Sequence, residues 1–95
     1  MNTYIDRIKK TIVPILRHYG VSKAALFGSI IRGQMKPDSD IDILVQIDSD
    51  IGLLEFVGLK LELEDALKRN VDLVEYDTIK PLLRDSILKE QEVIL

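Results

Sequence analysis

Cysteine is absent from this 95-residue sequence. Disulfide scaffolding, thiolate nucleophiles and cysteine-ligated zinc are therefore excluded, although that absence does not fix the compartment. Long apolar runs are missing as well. No stretch approaches the ~20 residues that span a bilayer, and the N-terminus lacks a signal-peptide apolar region. A cytoplasmic location without membrane contact is the expectation. A basic surplus is also lacking: 13 Lys and Arg face 16 Asp and Glu, for a net charge of −3. General nucleic-acid binders usually carry the opposite excess, so phosphate contacts have to be few and local. There are no repeats, low-complexity tracts or linkers. G-x-G-x-x-G does not occur. Gly28 to Gly33 has the spacing of a phosphate loop, but Gln34-Met35 stands where Lys-Ser/Thr is required.

What is present is ordinary globular composition, 46% apolar and 31% charged. One domain over residues 1–95 is expected. A chain of this size buries roughly 60–65% of its unfolded surface, enough for one core.

The residues at 5, 8, 12, 15, 16 and 19 are apolar at near-helical spacing. Pro14 interrupts them and predicts a kink or two short helices, because a mid-helix proline loses a hydrogen bond and clashes with the preceding turn. Gly20 suits a helix end. "AALF", 24–27, reads as a short buried strand, and Ser29 to about Arg32 as a brief helical turn. "DIDILVQI", 40–47, is the strongest strand, β-branched and almost wholly apolar after Asp42, as when both faces are covered. The pattern predicts a helix over 52–69, with Leu53, Phe56, Leu59, Leu63, Ala66 and Leu67 inward and Asn70 as its stop. Leu53, Leu54 and Val57 are assigned to core packing rather than to a partner. Glu62, Glu64, Asp65, Lys68 and Arg69 read as a solvated face. A third strand is expected at 71–76. A last helix is expected with Thr78 as cap, Pro81 in its first turn, and Leu82, Leu83 and Ile87 inward. "EVIL" is an edge strand or a frayed end. Strands alternate with helices, so the class is α/β (or α+β), with helices packed on a small mixed sheet of three to four strands.

The chemistry concentrates in "LFGSIIRGQMKPDSDIDILV", 26–45. Asp40 and Asp42 are two apart on a predicted strand and share a face, with Cα atoms ~6.5–7 Å apart. Bare carboxylates that close repel, and at least one has its pKa raised. A divalent cation removes the conflict, and Mg²⁺ takes carboxylate and phosphate oxygens. Asp38 fits a solvated turn. Asp42, between Ile41 and Ile43, does not. An EF-hand loop fails, because its glycine falls on Ile43 and its bidentate glutamate on Ser49. Gly28-Ser29 follows a strand and opens a short helix, which suits phosphate binding as well as a plain turn and cap. Asp72 is second in an otherwise apolar strand. It either marks a strand starting in solvent or completes a carboxylate triad. His18 reads as a partly exposed helix residue.

Taken together, Gly-Ser, ten residues, Asp-x-Asp, then an Asp on the strand after a helix resembles the nucleotidyltransferase superfamily related to DNA polymerase beta. The shape "LFGS–RG–SDIDILV" resembles its minimal nucleotidyltransferase (MNT) branch, whose members pair as antitoxins with HEPN-domain toxins. The resemblance runs from about Val21 to the C-terminus and implies the nucleotidyltransferase fold. It implies that Gly28 and Ser29 hold the terminal phosphates of ATP. It also implies that Asp40, Asp42 and Asp72 are catalytic and ligate two Mg²⁺ ions, with Asp72 helping to deprotonate the acceptor hydroxyl. Arg32 is either a phosphate contact or a surface ion-pair residue. Larger members carry domains that hold the acceptor, so here the acceptor is expected from outside. The implied activity is transfer of AMP from ATP to a tyrosine hydroxyl of a HEPN toxin. Neutralisation by binding alone, and transfer to a small molecule, are the alternatives.

Overall fold

A computed structural model describes residues 3–34, 36, 38–48 and 50–95. Helix α1, Thr3–His18, leads into strand β1, Val21–Phe27, and a single-turn helix α2, Ser29–Arg32. Strand β2, Ile41–Ile47, helix α3, Leu53–Leu67, and strand β3, Val71–Glu75, follow. A 3₁₀ turn, Tyr76–Thr78, helix α4, Pro81–Glu90, and a short strand β4, Glu92–Val93, complete the chain. The four strands form one mixed sheet in the order β3-β2-β1-β4. β1 runs antiparallel to β2 and β4, whereas β2 and β3 are parallel, joined by the α3 crossover. This is the helix-flanked mixed sheet expected from the sequence, with the "EVIL" segment supplying a paired edge strand. Among the described residues, no helix is long and apolar enough to cross a membrane.

Pro14 does not divide α1, which runs as one helix through it. Ile5, Ile8, Ile12 and Leu16 are all buried on the sheet. Burying each such side chain is worth ~1.5–3 kcal/mol. The stripe therefore offsets the ~3 kcal/mol that an internal proline costs.

The central strand separates two apolar layers. Ile41, Ile43 and Val45 pack with α1 and with Leu59 and Leu63 of α3. Leu44 points to the other face, against Ala25, Tyr76 and Ile79. That second layer is thin. Helix α4 buries no residue, and Leu82 and Leu83 stand in solvent rather than inward as the sequence pattern suggested. From α4, only Ile87 and Leu88 reach the second layer, and both are partly buried there. Thr78 is not its cap. The Thr78 hydroxyl donates to the Glu75 carbonyl at 2.9 Å, and Lys80 holds the cap position, with Pro81 in the first turn. On α3, Leu53, Leu54 and Val57 are exposed, because only the Phe56–Leu59–Leu63–Leu67 line faces the sheet.

Candidate active site

The strand pairing brings the acidic residues together. In the β2–β3 ladder Asp42 lies directly opposite Asp72, and in the β1–β2 ladder it lies opposite Phe27. Alternation along β2 places Asp42 on the face of Leu44, opposite the α1 and α3 layer. The same rule places Asp72 with Val74, so the two carboxylates share that face as cross-strand neighbours. Asp40 sits in solvent one residue before β2. β1 ends where β2 begins, so the turn at Gly28 closes over the same strand ends.

Gly28 is required there for two reasons. Its φ of 78° with ψ of −145° is a conformation that residues with side chains rarely adopt. A Cβ at this position would also run into the Asp42 carboxylate oxygen Oδ2. The buried Gly28 backbone and the half-buried Asp42 side chain thus interlock. The Gly28 carbonyl accepts the Ile31 and Arg32 N–H groups at 3.1 and 3.2 Å, which starts α2 with Ser29 as its first residue.

Asp42 is electrostatically stressed. Burial, then the charges of Asp72 and Asp40, push its carboxyl up to about 6, while Arg32 acts in the opposite direction. Among the described residues, no group of three or more His, Cys, Asp or Glu is gathered tightly enough to hold a metal ion on its own. The donor set nevertheless suits a hard cation that also takes ligand oxygens: Asp40, Asp42 and Asp72 lie at neighbouring strand ends, and Asp42 feels the like charges of the other two. Arg32 is in an ion pair, with Nη1 2.9 Å from Glu90 Oε2, and its Nε donates to Gln34 Oε1 at 3.2 Å. Of the two readings the sequence left open, the ion pair is the contact formed in this structure. Asp38 is exposed in the loop, as expected of a turn residue, and His18 is exposed beside Tyr19 in an edge-on ring contact.

Two members of the supposed solvated face do specific work that the sequence did not signal. Glu64 Oε2 accepts the Val71 N–H at 2.9 Å and starts β3. Arg69 bonds the carbonyls of Lys36 and Ser39. Helical periodicity identifies their face but not the backbone groups they reach.

A four-stranded mixed sheet with a glycine turn and paired strand-edge carboxylates is the arrangement that the resemblance in the sequence implied. The Polymerase beta, Nucleotidyltransferase family matches residues 10–95, and the chain belongs to that family. Relatives sharpen the placement. The chain is 47% identical, over 96% of its length and 98% of the relative's, to "Putative protein adenylyltransferase MJ0435" of Methanocaldococcus jannaschii. It is 40% identical to protein adenylyltransferase MntA of Thermococcus cleftensis, over 76% of this chain and 73% of that one. A solved toxin–antitoxin structure with AMP-PNP superposes with a TM-score of 0.80 at 26% identity, covering 92% of this chain and 72% of that one.

Proposed function

We propose that this chain is a Mg²⁺-dependent protein adenylyltransferase that transfers AMP from ATP to a tyrosine hydroxyl of a HEPN-domain toxin, and so acts as an antitoxin. The observation that carries the reading is the register. Asp42 and Asp72 face each other across β2 and β3 at the strand ends, and Gly28 closes against Asp42. Relatives named as adenylyltransferases and the AMP-PNP-bound toxin–antitoxin structure supply the donor and the kind of acceptor.

In this reading Asp40 and Asp42 hold the cation, joined by Asp72. When bound, Mg²⁺ neutralises the carboxylates and stabilises charge on the attacking and leaving oxygens of an in-line displacement at the α-phosphorus. Asp72, exposed and open to solvent, accepts the proton of the incoming hydroxyl. Gly28 and Ser29 hold the terminal phosphates, where the missing side chain at 28 lets the ligand approach the backbone. Arg32 exchanges Glu90 for phosphate oxygens. The residues mainly position and stabilise, as is usual for phosphoryl chemistry. The reaction forms an O–P bond to the acceptor oxygen and breaks the α–β phosphoanhydride, releasing pyrophosphate.

A second reading, neutralisation by contact alone, has one observation in its favour: Leu54 and Leu82 are 87% and 96% exposed, as residues awaiting a partner would be. Intact-mass measurement on the toxin, incubated with ATP, Mg²⁺ and this protein, separates the two. Mass gains in AMP units that vanish with Asp42→Asn support transfer. Full neutralisation by Asp42→Asn with no mass gain supports contact alone.

A further inference from the structure

We infer that Arg69 is a positioning residue for the carboxylate site, its guanidinium fastening the loop that delivers Asp40 and Asp42 to the turn that delivers Asp72. The chemical role of the site rests on the adenylyl-transfer reading; the fastening rests on geometry alone. Arg69 follows α3 and precedes Asp72 by three residues. Its Nε donates to the Ser39 carbonyl at 3.2 Å. Its Nη2 donates to the same carbonyl at 2.7 Å and to the Lys36 carbonyl at 2.6 Å. The loop is also closed on itself: the Ser39 N–H donates to the Lys36 carbonyl at 3.0 Å, and the Lys36 N–H to Ser39 Oγ at 2.8 Å. One residue past Asp40, the Ile41 N–H donates to the Asn70 carbonyl at 2.9 Å. Asp40 is thus held on both sides by bonds to the Arg69–Asn70 turn.

The arrangement answers a physical need. Asp42 feels the like charges of Asp72 and Asp40, and its repulsion from Asp72 across the ladder tends to part β2 from β3 at the strand ends. A planar cation that grips backbone carbonyls opposes the parting without neutralising the carboxylates themselves. Two convergent carbonyls suit the rigid guanidinium fork, which an ammonium group cannot reproduce.

The test compares wild type with Arg69→Ala and Arg69→Lys. Amide hydrogen exchange is read in metal-free protein by NMR, and AMP transfer to the toxin is followed as Mg²⁺ is varied. For Arg69→Ala, exchange at Ser39 and Ile41 should quicken about tenfold or more, while Leu44 in the sheet centre stays protected. Loss of groups that orient metal ligands typically lowers metal affinity or activity about 10–100-fold. The half-saturating Mg²⁺ concentration should therefore rise and kcat fall within that range, with KM for ATP changing less than about threefold. Arg69→Lys should lie between the two. Unchanged exchange at Ser39 and Ile41 overturns the inference. So does uniform acceleration that includes Leu44, or faster loop exchange with wild-type kcat and Mg²⁺ dependence, since each leaves Arg69 a purely structural residue. If wild type itself transfers no AMP, the transfer reading falls separately. Calorimetric binding of Mg²⁺ with AMP-PNP then decides: weaker binding by Arg69→Ala upholds the positioning role, and equal binding overturns it.

Discussion

Replacing Asp42 with Asn should make the metal-free protein more stable while abolishing transfer. Asp42 is pushed from an ordinary 3.8 to about 6 by burial and by Asp72 and Asp40. A carboxyl whose folded pKa lies above its unfolded value binds its proton more tightly in the folded state. It therefore contributes stability when protonated, and that contribution declines as pH rises from about 4 to 6. Above about 6 the folded protein carries an unfavourable charge. At ~1.36 kcal/mol per tenfold change, the displacement corresponds to about 3 kcal/mol. The side chain is only half-buried, and water screens part of the repulsion. About 1–1.5 kcal/mol is the discounted figure. For a domain near this size 1 kcal/mol moves Tm by about 4–8 °C, so Asp42→Asn should melt about 4–12 °C higher at pH 7.5 in chelator. The advantage should shrink between pH 6 and 4 and vanish near pH 3.5, where both side chains are neutral. Saturating Mg²⁺ with nucleotide should reduce it as well, because the ligand stabilises wild type alone. Thermal melts across pH, with and without Mg²⁺, give the whole pattern. An Asp42→Asn variant that melts at or below wild type at pH 7.5 in chelator would refute the argument that the carboxylates are in conflict.

Other substitutions probe the remaining parts. Gly28→Ala forces a side chain into a glycine-only conformation and against Asp42, at a cost of about 1–3 kcal/mol from the backbone alone. Denaturant melts should show that loss, and transfer should fall with it. Leu59→Ala, in the fully buried line between α3 and the sheet, should cost about 2–5 kcal/mol by urea unfolding. Arg32→Ala breaks a partly exposed ion pair with Glu90 and should cost under about 1 kcal/mol in stability. Steady-state kinetics should show KM for ATP about tenfold higher, as for loss of one charged hydrogen bond; an unchanged KM would leave Arg32 an ion-pair residue only.

Much of this architecture was legible along the chain. A continuous apolar run marked β2, because a strand covered on both faces needs no alternation, and Val71, Leu73 and Val74 marked β3 around Asp72. Gly28-Ser29, Asp40, Asp42 and Asp72 stood out because each broke a local pattern. The helices were less legible at their margins. Pro14 was overruled by burial of Ile12 and Leu16, which no local rule weighs. Leu53, Leu82 and Leu83 carried inward-facing patterns yet ended in solvent, because a small sheet can be covered by only so many side chains.

The sequence by itself determined the kinds of group available and their order: one glycine turn, three candidate carboxylates, no thiols, and alternating elements long enough for one sheet. Only the tertiary structure decided that Asp42 lies opposite Asp72, since strand register depends on how the α3 crossover packs across the sheet. It alone decided that Gly28 makes room for Asp42, and that Arg69 grips the loop before Asp40. Each of these joins residues distant along the chain. Their spacing is set by packing of the whole core, which local periodicity does not encode.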